Sequence, residues 1–303
     1  MRRAMLIVAA LVMLAAPARA ADRFDALVQP YAGLAGFSGS ILVVKDGSVL
    51  FDRAYGFSDA EHRTPNLTTT RFHIGTLSMI YTAAVVLRLV ELHRINLDNT
   101  AGQFVAGLSA EQGASSIQGL LAVKPDAPDA AASYALLARI AAAASGKSFA
   151  DTADNTAFAS VLLTGTGIDD GTLGADSRMA KGYHEDGTLV PPPDWAPLTG
   201  SASAYTTTRG EFHWLEMLFG GKILTTESRE ILLAGPWNKA LLGPPNAPVA
   251  GYDAQGSAPG FASYVLWLPG LTVIVLANAE TRQIRDIGVL LALQALRGDA
   301  LKP

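Results

Sequence analysis

Apolar and polar positions alternate in only a few places along this chain, and those places predict strands. In GSILVVKDGSVLFDRAYG (39–56), two runs rich in β-branched and aromatic residues, Ser40–Val44 and Ser48–Arg53, flank Lys45-Asp46-Gly47. Asp-Gly between such runs predicts a hairpin. A second hairpin is predicted near the other end, where Ala262–Leu268 and Thr272–Ala277 are separated by Pro269-Gly270. Between them the period changes. From Thr76 to about Arg94 the chain has no Gly or Pro and is apolar on nearly all sides, so a helix inside the core is expected rather than one on its surface. Asn96-Leu97-Asp98 closes it. Residues 100–175 are rich in Ala and Ser with a mostly helical period, clearest over Ala132–Ala144. Further helices are predicted over Asp22–Ala32, within Ser201–Leu224 and over Gln283–Arg297. Thr64-Pro65-Asn66 with Thr68–Thr70, and Gly182–Gly200 with its Pro191-Pro192-Pro193, read as loops. This order predicts an α+β fold. An antiparallel sheet drawn from both chain ends (21–78 and 200–303) is flanked by N- and C-terminal helices and carries an all-α insertion (79–199).

The first twenty residues stand outside that pattern. MRRAMLIVAALVMLAAPARA has a basic start, an apolar run from Ala4 to Ala16 and Ala18-Arg19-Ala20 before Ala21, the three parts of a cleavable secretory signal. Export to the periplasm or beyond is therefore expected, with no membrane attachment after cleavage, because no later run reads as a spanning segment. Without Arg2, Arg3 and Arg19, 20 Lys+Arg face 27 Asp+Glu, a net charge of −7. An acidic chain with no basic stripe argues against nucleic acid as a partner. The absence of cysteine removes disulfides, Cys-ligated zinc and thiolate catalysis, so the apolar core alone must carry stability. His62, His93, His184 and His213 fall at no metal-ligand spacing, and neither a metal nor a cofactor is expected.

Four stretches carry a resemblance. FSGSILVVKDGSVLFDRAYGFSDAEHRTPNLTTTRFHIGTLSMIYTAAVVLRLVELHRINLDNT (37–100), ASYALLARIAAAASGKSFAD with SREILLAGP (132–151 and 228–236), and GSAPGFASYVLWLPGLTVIVLANAE (256–280) are similar in order and character to the serine β-lactamase and penicillin-binding-protein superfamily. The likeness is to its class C β-lactamase, DD-peptidase and esterase branch. It implies the α+β fold just described, with a cleft between sheet and helices that holds three motifs. The first is Ser-x-x-Lys, where the spacing sets an amine beside a hydroxyl on one helix face. Aligned on Ile74-Gly75, its slots are Thr76 and Met79, a hydroxyl and a thioether that cannot act as a base. The second, Tyr-x-Asn, falls on Asp129 and Ala131 when counted back from Tyr134, and the lid loop before it is deleted. The third, Lys- or His-x-Gly, falls on Ala254-Gln255-Gly256 ahead of Pro259-Gly260-Phe261. A shift by one would bring Asp253 into the cationic slot.

Other side chains offer no replacement on sequence grounds. Ser78 lies roughly 200° around the helix from Thr76 and reads as a plain helix serine. His73 reads as a packing or surface histidine, His184-Glu185-Asp186 as a turn, and Trp195, Trp214, Trp237 and Trp267 as core or cleft-lining residues. The resemblance also implies an oxyanion hole of two main-chain N–H groups, here Thr76 and Ser257, which needs no particular side chain. The expectation is an exported, catalytically inactive homologue that binds cell-wall peptide or another envelope protein. The alternatives are a weak esterase or amidase using Thr76, and a purely structural envelope protein.

Overall fold

The computed structural model describes residues 21–32, 36–173, 176, 178–234, 240–242 and 249–300. The proposed signal segment and Trp237 lie outside them. A first helix, α1 (21–32), precedes the hairpin β1 (Gly39–Lys45) and β2 (Ser48–Tyr55). The turn residues Asp46 and Gly47 both have positive φ, 49° and 74°, as a tight hairpin turn requires. Short strands β3 (Phe57–Asp59), β4 (Thr64–Pro65) and β5 (Phe72–His73) lead through one 3₁₀ turn, Gly75–Leu77, into α2 (Ser78–Glu91). Then follow α3 (Ala110–Ala114), α4 (Ile117–Leu121), α5 (Ala130–Ser145), α6 (Phe149–Ala153), β6 (Gly167–Ile168), β7 (Ala204–Thr206), α7 (Thr208–Phe219) and α8 (Thr226–Ala234). The chain closes with β8 (Ala240–Leu242), β9 (Val249–Ala258), β10 (Phe261–Leu268), β11 (Leu271–Ala277) and α9 (Ile284–Ala300).

The principal sheet is antiparallel, in the order β2-β1-β11-β10-β9-β8. Its centre joins the two chain ends, because β1 pairs with β11 from Gly39↔Ala277 to Lys45↔Leu271. Residues alternate between two cores, as strand geometry dictates. Ile41, Val43, Tyr264, Val273 and Val275 face a layer capped by α1 and α9 through Phe24, Val28, Ile287 and Leu291. Leu42, Val44, Val265, Ile274 and Leu276 face the larger core built on α2, α5 and α7. From Ser78 to Leu87 every residue of α2 is buried, which explains why no polar face was visible in its sequence.

A second, three-stranded sheet, β5-β7-β6, was not foreseen. Its strands are two or three residues long, too short for alternation to register. It matters because it sets the start of α2. Ile74 N–H donates to Ala204 O (2.9 Å), and Thr82 Oγ1 donates to Gly200 O (2.7 Å) one turn further on. No helix among the described residues is long and apolar enough to cross a membrane.

Candidate functional site

The start of α2 meets β9 through backbone alone. A β-carbon on Gly75, whose φ is +58°, would lie 2.3 Å from the Ser257 carbonyl carbon and 2.6 Å from its nitrogen. A β-carbon on Gly256 would lie 2.1 Å from Ile74 O and 2.9 Å from Leu77 N. Both glycines are there because any side chain would separate the two elements. Ser263 reinforces the contact from β10, donating to Ile74 O (2.8 Å).

This junction brings together the two positions expected to form an oxyanion hole. The turn Pro259-Gly260 is closed by the pair Ala258↔Phe261, and Ser257 is paired with Ala262. Hydrogen-bonded and non-hydrogen-bonded pairs alternate in an antiparallel ladder. With the pair beside the two-residue turn hydrogen-bonded, Ser257 N–H points out of the hairpin, toward Gly75. Strand β8 is described only as far as the pair Ala240↔Gly251 on that edge. Thr76 lies in the first turn of a helical segment, where an N–H has no intrahelical acceptor.

The side chains at the motif slots have other occupations. Thr76 is half-buried, and among the described residues nothing hydrogen-bonds its hydroxyl. Met79 is 1% exposed and belongs to the large core. Asp129 and Ala131 are exposed at the N-terminus of α5, and the Asp129 side chain does not cap the helix. Tyr134 anchors that end from within the core, with its hydroxyl 3.5 Å from the carbonyls of Leu121 and Val123. Strand alternation separates the candidates for the third motif. Asp253 pairs with Arg285 of α9 (2.7 Å), on the opposite face of the sheet from α2. Ala254 and Gly256 face α2, and neither brings a cation to that face.

Ser78 is a structural clamp. Its Oγ donates to Gly75 O (2.6 Å) and accepts from Ala204 N–H (2.9 Å) in a buried setting, which spends its hydrogen-bonding capacity on the α2–β7 joint. His73 is likewise packed inside, 5% exposed. Its ring stacks on Trp195 at 3.6 Å and meets Phe261 edge-on at 5.2 Å. Its Nε2 lies 3.1 Å from Asp169 Oδ2, while Nδ1 is buried without a partner. Burial lowers the His73 pKa despite the opposing pull of Asp169. The ring is therefore a neutral imidazole donating from Nε2. Nothing local in the sequence links positions 73 and 169.

The second buried polar pair was also invisible in sequence. Tyr81 of α2 donates to Glu211 Oε2 of α7 at 2.5 Å, and Tyr81 stacks on Trp214 at 4.3 Å. Desolvation pushes the Glu211 pKa up to about 7, against the lowering effect of the Tyr81 hydrogen bond. His184, in an exposed turn, pairs with Glu280 from the far end of the chain (2.9 Å). Asp59, Glu61 and His62 come within ligand reach of one another, but Lys181 bridges the two carboxylates, at 2.8 and 3.9 Å, and supplies their countercharge.

Comparison with known proteins agrees with this architecture. A family model described as Beta-lactamase matches residues 24–123. The chain is 24% identical over 260 residues to a putative penicillin-binding protein, PbpX, of Bacillus subtilis (strain 168), covering 75% of this chain. It spans 66% or less of the length of the curated relatives it matches. Among solved structures it is similar to FmtA from Staphylococcus aureus, with a TM-score of 0.74 at 17% identity over 91% of this chain and 89% of that one. It is also similar to a class C β-lactamase from Rhodobacter sphaeroides, with a TM-score of 0.69 at 18% identity over 91% and 99%.

Proposed function

Since this chain belongs to the serine β-lactamase and penicillin-binding-protein superfamily, we propose that it is an exported member that binds a cell-envelope ligand, a cell-wall peptide or an envelope protein, without turning it over. One observation carries the reading. The position one helical turn beyond Thr76 is Met79, sealed in the core at 1% exposure. A hydroxyl attacks a carbonyl at neutral pH only if a base takes its proton, and a thioether has no site for one. Losing a nucleophile–base unit costs on the order of 10⁶ in rate in comparable hydrolases. The other motif positions supply no substitute, because Asp129 is exposed and uncapping and Ala254 carries no charge.

Binding needs less than catalysis does. The Thr76 and Ser257 N–H groups at the α2–β9 junction, with the positive end of α2, suit a carbonyl or carboxylate oxygen. The test is to incubate the protein with a fluorescent penicillin and a reactive phosphonate, read intact mass, and follow melting temperature across a series of muropeptides. The expected result is no adduct together with a ligand-dependent rise in melting temperature. A covalent adduct on Thr76 overturns the reading in favour of a slow esterase or amidase. No thermal response to any muropeptide overturns it in favour of a structural protein.

A further inference from the structure

A hollow of about 590 Å³ opens where the Thr68–Thr69 loop, the segment Val161–Gly165 and the start of α7 meet. None of its lining residues is Thr76, Met79, Ala254, Gly256 or Ser257. Three guanidiniums line it, from Arg71, Arg178 and Arg209. Asp176 takes bonds from two of them, Arg71 Nη1 at 2.7 Å and Arg178 Nε and Nη2 at 2.9 Å each. Arg209 Nε donates to Asp52 Oδ2 (2.8 Å). Two carboxylates thus answer three positive charges, and the N-terminal end of α7 adds potential of the same sign. The remaining ionisable group, His213, donates from Nε2 to Val161 O (2.8 Å).

Arg71 is the fixed member, with its side chain 13% exposed and its guanidinium carbon 5.6 Å from the centre of the Tyr205 ring. Its Nε and Nη2 take part in no hydrogen bond among the described residues. They lie 3.8 and 4.0 Å from where a Gly165 β-carbon would stand. Gly165 (φ +80°) leaves that edge of the guanidinium uncovered. Arg178 and Arg209 are outer arms, with side chains 64% and 60% exposed.

The other wall is apolar. Leu162, in the left-handed conformation (φ +54°), caps the turn Ala159–Val161, with Leu162 N–H donating to Ala159 O (3.2 Å) and Leu163 N–H to Phe158 O (3.1 Å). That cap presents an 82% exposed leucine side chain at the hollow.

We propose that this groove binds an anionic amphiphile, with a carboxylate or phosphate group held by Arg71 between the Arg178 and Arg209 arms and an apolar chain against Leu162 and Leu163. The geometry matches the recognition of planar or tetrahedral oxyanions by forked guanidinium donors. It is independent of whether the cleft turns substrate over.

The experiment is calorimetric titration of the full chain with octanoate, octyl phosphate, inorganic phosphate and octanol. Octanoate or octyl phosphate should bind more tightly than inorganic phosphate or octanol, and the stronger of the two identifies the headgroup. Replacing both arms (Arg178→Gln with Arg209→Gln) should weaken the amphiphile about tenfold, the scale of a lost charged hydrogen bond. Leu162→Asn should bring the amphiphile down toward inorganic phosphate while leaving inorganic phosphate unchanged. Asn tolerates left-handed backbone, so this variant should melt no lower than the parent, and it decides the matter even if the double variant does not fold. Octanol binding as tightly as octanoate, unchanged affinity in both variants, or no binding by any of the four compounds overturns the proposal.

Discussion

The α2–β9 junction and the side-chain positions of the three motif slots are constrained by different things. At the junction, Gly75, Gly256 and Ser257 are in backbone contact so close that a single added carbon would clash, and Ser78 and Ser263 hold the approach with buried hydrogen bonds. One turn along α2, Met79 has joined the core. On the next strand face stands Ala254, and at the N-terminus of α5 Asp129 and Ala131 point into solvent. The difference teaches that the main-chain half of this site is part of the fold. The joint between sheet and helices passes through it, so it persists whatever chemistry is present. The side-chain half is dispensable to folding and is free to become packing.

That contrast breaks first at Met79. Restoring the expected pair, Thr76→Ser with Met79→Lys, places an amine where the protein now has core. A buried, unpaired lysine either stays charged at high cost or loses its proton through a depressed pKa. Urea denaturation of the double variant is expected to show a loss of about 3 kcal/mol or more, with no acylation by penicillin. Retained stability together with an adduct would mean the slot is still a working site, and the contrast drawn above would disappear.

Next comes the junction itself. Gly256→Val inserts branched carbons against Ile74 O and Leu77 N. Because these are backbone atoms, α2 must move away from β9. Overpacking of this kind typically costs about 1–3 kcal/mol, and a value near the upper end is expected here. Circular dichroism should show the fold retained at low temperature, with an earlier melting transition. An unshifted transition would show that the two elements are not held as tightly as the geometry says.

How much of this could be read from the chain follows from the same physics. The two hairpins were legible because Asp46-Gly47 and Pro269-Gly270 are turn chemistry between β-rich runs, and α2 because Gly and Pro are absent over a long apolar stretch. The slots Thr76, Met79, Ala254 and Gly256 rest on counts from local glycine and proline landmarks, and Asp129 and Ala131 on a count back from Tyr134, whereas the hairpins and α2 were legible in their own residues. The small sheet β5-β7-β6 was not, since strands of two or three residues carry no periodicity. Nor were His73–Asp169 and Tyr81–Glu211, whose partners stand 96 and 130 positions apart. Pairs of that kind are products of the tertiary fold.

Glu211 gives the contrast a pH dependence. Its carboxyl has a pKa near 7 in the folded chain against 4.5 ordinarily, because it is desolvated. The folded state therefore binds the proton more tightly than the unfolded state. Stability from this group is complete below about pH 4.5 and is lost as pH rises to about 7, by on the order of 3 kcal/mol. His73 works in the opposite sense. Its pKa is lowered, so its contribution improves as pH rises toward 6.5. Comparing the parent with Glu211→Gln by denaturant titration between pH 4.5 and 7.5 isolates the first effect, since His73 is common to both. The parent should fall relative to the variant across that window. Parallel curves would mean that Glu211 is ionised throughout and that Tyr81 with its surroundings stabilises the charge.

The smallest effect is expected at the centre of the site. The Thr76 hydroxyl is half-buried and has no hydrogen-bond partner among the described residues, so its removal leaves no buried donor or acceptor behind. Thr76→Ala should change stability by no more than about 0.5 kcal/mol, the range for substitutions that disturb no special feature. It should also leave muropeptide binding unchanged, because the N–H groups at Thr76 and Ser257 belong to the main chain. Any ester hydrolysis measured in the parent should continue in the variant at the same rate. If hydrolysis stops instead, that silent hydroxyl has been a nucleophile all along. Its base would then have to come from a rearrangement of the cleft, and the proposal of binding without turnover would fall.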